Sequence, residues 1–297
     1  MWRRMNRCRA LSMPECGWLK IMQTVFVSAS FDDIRSRQVR FLNEAAKLGE
    51  VHALVWSDAA ALHLAGKPPK FPEAERQYLV EALRYVTRAS LIDSLPGVDA
   101  LPQAAVVGAG QPVIWAWDEL DDSPARAAFC QQYGIGFRVF TGAALAGFPV
   151  PPEVETDATP GRKKVIVTGC FDWFHSGHVR FFEEVSSLGD LYVVAGHDAN
   201  VRLLKGEGHP FFPQDERRYM VQAVRYVHQA LISTGSGWMD AEPEVERIRP
   251  DIYVVNEDGD KPEKREFCAA HGLEYVVLKR LPKEGLPRRE STFLRGF

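Results

Sequence analysis

Short runs of apolar and β-branched residues alternate along the chain with longer stretches in which apolar residues recur every three or four positions. In the second half this pattern predicts strands at residues 164–168, 191–195, 230–233, 252–255 and 275–278. It predicts helices at residues 177–188, 214–226 and 261–271, and a short helix from Ser291. Strands alternating with amphipathic helices predict an α/β fold, in which helices cover both faces of a parallel sheet.

The pattern occurs twice. Residues 30–49 and 170–189 are identical at nine of twenty positions, and residues 76–86 and 217–227 at seven of eleven. A stretch rich in Pro, Gly, Ala and Thr, residues 141–163, separates the copies and predicts a linker. We therefore expect two tandem doubly wound parallel-sheet domains, at residues 22–140 and 164–297.

Composition excludes several classes of function. The 36 Lys and Arg residues are balanced by 39 Asp and Glu residues, so nucleic acid is not expected as a partner. No apolar run is long enough to predict a membrane span. The five scattered cysteines predict a reducing, cytoplasmic location rather than a disulfide framework. Residues 1–21 are basic and lack the apolar run of a secretory signal, so we expect a disordered or non-native tail.

Two histidines after the first strand of the second copy carry the clearest chemical signal. His175 and His178 are three residues apart at the start of a predicted helix, so both rings can face one point. Gly177 lies between them and has no Cβ, which lets an anion approach the N–H groups at the positive end of the helix dipole. Because ligands of such sheets bind at the carboxyl ends of the strands, the pattern predicts a phosphate site.

The histidine pair has two alternative interpretations: half of a zinc site, or a feature without function. No Cys and no third His at ligand spacing supports zinc. Phosphate is favoured because cationic and hydroxyl side chains suited to phosphate recur downstream, at Lys205, Arg217, Arg288, Arg289, Ser291 and Thr292. For each of these residues alone, a solvated side chain or a helix cap is the alternative.

Taken together, these residues resemble the cytidylyltransferase family, a branch of the nucleotidylyltransferases with a His-x-Gly-His signature and a Rossmann-like fold. The match covers nearly the whole second copy, and residues 174–179 and 216–227 are particularly similar to the tandem-repeat ethanolamine-phosphate type. Two segments depart from the family pattern. Residues 286–292 replace a usual Arg-Thr-x-Gly-Ile/Val-Ser-Thr segment, and Asn256 replaces a usual glycine.

The resemblance implies that the phosphate of a phospho-alcohol attacks the α-phosphorus of a nucleotide in line and expels pyrophosphate. The implied catalytic residues are His175, His178, Lys205 and Arg217. The implied nucleotide-binding residues are Gly169, Cys170, Phe171, Asp172, Gly177, Asp198, Asn256, Arg288, Arg289, Ser291 and Thr292. Asp172 is implied to organise either a Mg²⁺ shell or the backbone of the phosphate site.

Three functions are compatible with this resemblance. The leading hypothesis is transfer of CMP from CTP to a phosphoethanolamine-like phospho-alcohol, as in phospholipid biosynthesis. The alternatives are an adenylyltransferase that acts on a sugar phosphate with ATP, and a nucleotide-binding scaffold without turnover.

The first copy lacks the chemical residues of the second. Arg35 and Gln38 stand where His175 and His178 stand in the second copy. Arg37 replaces Gly177, and Ala65 replaces Lys205. Framework residues such as Phe31 and Asp32 are retained. We therefore expect a degenerate, catalytically silent first domain that packs against the second or shapes its cleft, in a monomer with paired domains or in a homodimer.

Overall fold

The computed structural model describes residues 23–108 and 112–294, so the predicted tail lies outside the described residues. Two parallel sheets of five strands each form the framework. The first contains β1 (Thr24–Ala29), β2 (Glu50–Trp56), β3 (Arg88–Ile92), β4 (Val113–Asp118) and β5 (Gly136–Phe140). The second contains β6 (Lys164–Gly169), β7 (Asp190–Ala195), β8 (Gln229–Ile232), β9 (Ile252–Asn256) and β10 (Glu274–Leu278).

Both sheets have the same strand order. It is β3-β2-β1-β4-β5 in the first sheet and β8-β7-β6-β9-β10 in the second. The direction of winding reverses beside β1 and beside β6, which is where ligands bind in sheets of this kind. This arrangement confirms the predicted fold class, two tandem doubly wound α/β domains.

Helices flank both sheets. In the first domain they are α1 (Ser36–Ala46), α2 (Asp58–Ala65), α3 (Glu73–Glu81), α4 (Gln103–Gly108), α5 (Pro124–Tyr133) and α6 (Gly142–Leu145). In the second they are α7 (Ser176–Ser186), α8 (Asp198–Lys205), α9 (Gln214–Gln222), α10 (Glu242–Ile248) and α11 (Pro262–Ala270), and a 3₁₀ turn follows at Ser291–Leu294. None of the described helices is long and apolar enough to cross a membrane.

Burial explains why the apolar pattern predicts the central elements well. Val165, Ile166 and Val167 are all fully buried because β6 is covered by helices on both faces. Helix α7 turns Val179 and Phe182 inward, as predicted. The structure departs from the predicted linker, residues 141–163, in one respect, because helix α6 lies at its start. The Thr141 hydroxyl caps α6, and the core of the first domain buries Leu145.

The two domains pack against each other with an approximate twofold relation. Leu83 and Val224 form an antiparallel bridge, flanked by hydrogen bonds from Arg84 N to Ala223 O and from Arg225 N to Ala82 O, both 2.8 Å. This contact ends helix α9 at Gln222, four residues before the predicted end. The second domain's Val179, Tyr219, Met220 and Ala223 belong to the apolar cluster of the first domain.

Candidate active site

The turn after β6 has a left-handed residue at its centre. Phe171 has φ +52°, which is unfavourable for a bulky side chain and costs about 1–3 kcal/mol. Its ring lies over Gly169, where an added Cβ would be 2.8 Å from the ring. Phe31 has the same φ in the first domain. Gly169 and Phe171, two predicted nucleotide-binding residues, thus belong to a strained turn, and the first domain has a turn with the same left-handed residue.

Asp172 anchors the loop before α9. Its carboxylate is buried and accepts hydrogen bonds from Phe211 N (2.7 Å), Phe212 N (3.1 Å) and His209 Nδ1 (3.2 Å). Asp32 in the first domain accepts from two successive backbone N–H groups in the same way. Of the two implied roles, these contacts match that of backbone organiser.

Asp172 does not fit a magnesium ligand, because its buried carboxylate is already held by three protein donors, two of them on Oδ1. No group of three His, Cys, Asp or Glu side chains suited to a metal occurs among residues 23–108 and 112–294. Mg²⁺ typically binds through one or two carboxylates together with substrate phosphates.

Arg217 is buried inside the protein rather than exposed to a phosphate. Its guanidinium donates to the carbonyl oxygens of Phe212, Cys170 and Gly196 and to the Asp198 carboxylate, at 2.6–2.9 Å. Arg76 forms the corresponding contacts in the first domain, which lacks the histidines. The geometry therefore makes Arg217 a brace for the loops around the site, and Asp198 its partner.

His175 and His178 meet at the start of α7. Their rings are stacked, with centroids 4.0 Å apart and planes inclined by 22°. His175 is the N-cap of the helix, and its Nδ1 accepts the Gly177 N–H at 3.1 Å. The Gly177 N–H, predicted to face an anion, is thus used within the turn. The absent Cβ also makes room for the ring, since it would lie 2.9 Å from His175 Cε1.

Two further nitrogens of the pair are buried without partners among the described residues. Because His175 Nδ1 accepts a hydrogen bond, Nε2 is assigned the ring hydrogen, and this N–H is buried with no partner among the described residues. His178 Nδ1 is likewise buried and unpartnered within that part of the chain. Leaving such a group unsatisfied costs about 1–3 kcal/mol, and such groups are rare in proteins. Two of them side by side indicate a place for an external hydrogen-bonding group.

Burial and positive charge keep both rings neutral. Burial, with the charges of Arg280 and Arg289, lowers the pKa of His175 to about 3. Burial also places the pKa of His178 well below its usual range, and His175, Arg280 and Lys205 add to this effect. Near pH 7 the pair is therefore a set of hydrogen-bond donors and acceptors surrounded by cations, an arrangement that favours a polyanion.

Lys205 ends helix α8 with an exposed side chain. Among residues 23–108 and 112–294, no carboxylate forms an ion pair with the Lys205 ammonium. The Cys170 thiol lies close to it, and burial raises the pKa of that thiol while Lys205 opposes the shift. Lys205 is thus available for an anionic ligand beside the turn after β6.

A cleft beside α7 brings several predicted residues together. Gly177, Asn256, Arg288 and Arg289 all line it, and so does Arg280. Arg288 is exposed, and Ser291 Oγ donates to Trp173 O at 3.2 Å. The Thr292 side chain lies outside the described residues. Arg289 was expected to contact nucleotide, but its guanidinium is bound by Glu75 of the first domain.

Arg280 is a residue of the site that the sequence motifs did not predict. Its guanidinium pairs with Asp258 and donates to Arg289 O, and it lowers the pKa of both histidines. A signal was present in the sequence, because Lys279 and Arg280 directly follow the last strand, at the edge where ligands gather.

The corresponding place in the first domain is crossed by an ion pair. Arg37, which stands where Gly177 stands, donates twice to Asp118, which stands where Asn256 stands, at 2.7 Å each. A bidentate pair of this kind is geometrically rigid. An ion pair therefore spans the space beside the first helix in the first domain, whereas Gly177 and Asn256 cannot form one in the second.

Comparison with known proteins agrees with this geometry. A family model described as cytidylyltransferase-like matches residues 166–279. The FAD synthase of Ferroglobus placidus is 35% identical over 125 residues, which cover 41% of this chain and 78% of the relative. The FAD synthase of Aciduliprofundum boonei is 38% identical over 125 residues, covering 41% and 80%.

A further relative is the bifunctional protein HldE of Campylobacter concisus. It is 37% identical over 100 residues, which cover 33% of this chain and 21% of that protein. All three matches have the length of one domain rather than two. With the histidine pair of the second domain, they establish that the chain is a nucleotidyltransferase of the cytidylyltransferase-like family.

Proposed function

We propose that the second domain transfers a nucleotidyl group from a nucleoside triphosphate to the phosphate of a small phosphorylated acceptor and releases pyrophosphate. The observation that carries this proposal is the stacked pair of neutral imidazoles with buried, unpartnered nitrogens. Lys205, Arg280 and Arg289 surround the pair with positive charge. A triphosphate supplies both the hydrogen-bond acceptors and the negative charge that this arrangement lacks.

The chemistry needs no proton transfer at the histidines. An anionic oxygen of the acceptor phosphate forms a bond to the α-phosphorus, while the bond from that phosphorus to the bridging oxygen breaks. The electron pair stays on the departing pyrophosphate. The enzyme therefore has to position the reactants and stabilise charge. A neutral imidazole suits this task, and we assign the His175 Nε2–H and the ring of His178 to the α-phosphate and the bridging oxygen.

The rest of the triphosphate is assigned to residues around the pair. Lys205, Ser291 and Thr292 would hold the outer phosphates, and Arg280 or Arg288 would neutralise the leaving group. Asn256 and Gly177 line the adjoining cleft and would contact the nucleoside. Arg217 and Asp172 would act indirectly, by holding the loops that carry these groups. Mg²⁺ stays a prediction, as an ion that enters with the triphosphate rather than one held by Asp172.

The relatives favour ATP as the donor. Two of them are named FAD synthase, and FAD contains an adenylyl group joined to flavin mononucleotide. A second candidate is CTP with a phosphoethanolamine-like acceptor, which the sequence resemblance implies. The paired tandem domains favour this candidate, because the ethanolamine-phosphate type also carries two copies.

A matrix of substrates tests the proposal. ATP and CTP would each be combined, with Mg²⁺, with phosphoethanolamine, glycerol 3-phosphate, sugar phosphates and flavin mononucleotide, and pyrophosphate would be measured. We expect release with one nucleotide and its acceptor, and loss of about 10²–10³-fold in rate in His178→Ala. Binding of nucleotide without pyrophosphate release in any combination would instead support the scaffold alternative.

The same proposal makes the first domain catalytically silent. It has no histidine pair, and the Arg37–Asp118 pair spans the place where Gly177 and Asn256 line the cleft of the second domain. We expect all turnover to be lost when the second-domain histidines are replaced. The division at residues 141–163 stays part of this proposal.

A further inference from the structure

A carboxylate of the first domain lies inside the second domain's site. Glu75, in the first turn of α3, is fully buried. Its Oε1 accepts a hydrogen bond from Ser176 Oγ at 2.6 Å, and Ser176 stands between His175 and Gly177. The first domain thus contacts the helix start that carries the histidine pair.

The same carboxylate binds the C-terminal segment of the second domain. Arg289 donates from Nε to Glu75 Oε1 at 3.1 Å and from Nη2 to Oε2 at 2.7 Å, and its guanidinium lies 5.1 Å from the centre of the Phe71 ring. Both partners of this arginine are first-domain residues. Two parallel hydrogen bonds fix the direction as well as the position of a guanidinium.

The contact continues toward the phosphate site. The Arg289 carbonyl oxygen accepts from Arg280 Nη2 at 3.3 Å, and it lies 3.5 Å from the place a Gly177 Cβ would take. Arg280 and Arg289 both act on the pKa of His175. One carboxylate therefore ties the start of α7 to the segment that closes the cleft over it.

The approximate twofold relation supplies an internal comparison. Ser36 and Glu216 stand where Ser176 and Glu75 stand, and Ser36 Oγ donates to Glu216 Oε1 at 2.7 Å. Among the described residues no arginine pairs with Glu216. The serine–glutamate contact is thus common to both sides of the domain interface, whereas the link to a C-terminal arginine occurs only on the side of the histidines.

We propose that Glu75 is a positioning residue of the second domain's active site, which holds Arg289 and the start of α7 in register for nucleotide binding. This inference rests on the proposed function, and it gives the first domain a role in turnover although it has no catalytic residues of its own. Glu75 acts through Arg289 and Ser176 and does not touch the substrate.

Steady-state kinetics of three variants of the full chain test this. Glu75→Gln keeps the shape of the side chain and removes its charge, and Arg289→Lys keeps the charge and removes the second parallel hydrogen bond. Ser36→Ala removes the matching contact on the other side of the interface. The kinetic assays would use the nucleotide and acceptor that the wild type uses. A circular dichroism melt of each variant would report its stability.

We expect Glu75→Gln and Arg289→Lys to lower kcat/KM by about 10²-fold, mainly through a higher KM for the nucleotide, because small displacements at such a site have effects of this size. The double variant Glu75→Gln/Arg289→Lys should have the same kcat/KM as the weaker single variant, since both substitutions act through one contact. Ser36→Ala should leave kcat and KM unchanged.

Other results would overturn the inference. Equal kinetics in Glu75→Gln and Ser36→Ala would do so, and so would additive losses in the double variant. If Glu75→Gln does not fold, Arg289→Lys alone decides, because its side chain reaches the protein surface: an unchanged nucleotide KM contradicts the proposal. Absence of both turnover and nucleotide binding in the wild type would instead contradict the proposed function itself.

Discussion

His175 has two roles that a single substitution separates. Its Nδ1 caps α7, and its buried Nε2–H, which has no partner among the described residues, is the donor we assign to the α-phosphate. Asparagine is among the best N-cap residues, so His175→Asn keeps an acceptor for the Gly177 N–H and removes the donor at the Nε2 position, which the shorter asparagine amide does not reach. Loss of one preorganised donor costs about 10²–10³ in turnover, or about 2.7–4 kcal/mol. Near pH 7.5 we expect this loss with little change in the free energy of unfolding.

The same variant changes how stability depends on pH. The pKa of His175 is about 3 in the folded protein and about 6.5 in an unfolded chain. Because the folded pKa is depressed, the contribution is complete above pH 6.5 and is lost as the pH falls toward 3. Over the one and a half units from pH 6.5 to 5, the wild type should lose about 2 kcal/mol through this group, at about 1.4 kcal/mol per unit. His175→Asn cannot lose it.

Two measurements check this reasoning. Pyrophosphate release at pH 7.5 reports the donor, and urea unfolding at pH 7.5 and pH 5 reports the buried neutral ring. His197→Asn is a matched control, because His197 also caps a helix, α8, through Nδ1, and no catalytic role is assigned to it. Turnover equal to the wild type, or identical pH dependence of unfolding in His175→Asn and wild type, would refute the assignment.

Four further predictions concern the supporting residues. Lys205→Ala should raise the nucleotide KM about tenfold, equivalent to about 1.4 kcal/mol, without changing the melting temperature. Asp172→Asn should lower the free energy of unfolding by about 1–3 kcal/mol and leave the Mg²⁺ concentration for half-maximal rate unchanged, whereas a shifted Mg²⁺ dependence would restore a metal role. Arg217→Lys and Arg76→Lys should destabilise the chain similarly in denaturant titrations, but only the first should raise the nucleotide KM. A fragment of residues 160–297 should aggregate or self-associate in size-exclusion chromatography, since it exposes apolar residues that the first domain covers.

The framework was predictable from sequence because its cause is local. Buried strands such as β6 read as unbroken apolar runs, and the inward face of α7 repeats with helical spacing. The histidine pair was predictable for the same reason, since three residues at a helix start are enough to bring two rings together. The pairing of the domains left no such trace, because it depends on backbone contacts such as the Leu83–Val224 bridge.

The charged residues were harder to assign, since their partners are distant in sequence. Arg289 looks like a phosphate ligand beside Ser291, yet its partner Glu75 lies 214 positions away. Arg217 looks like a phosphate ligand in a helix start, yet it is buried. For Arg217 the sequence did indicate a structural role, because Arg76 stands at the same position in the first domain, which lacks the histidines. A residue kept without the chemistry is more simply explained by the fold.

The residues of the site fall into two groups. Phe171, Asp172 and Arg217 have first-domain counterparts with the same backbone geometry or the same partners, so these residues build the turn and its supporting loops. His175 and Lys205 have no such counterparts, so the chemistry must come from residues of this second kind. Glu75 belongs to both groups: its bond to serine is shared by the two sides, and its bond to arginine is not. The serine–glutamate contact therefore lies on both sides of the domain interface, but only the side of the histidines couples it to an arginine, and through that coupling we infer that a domain without catalytic residues supports its neighbour's site.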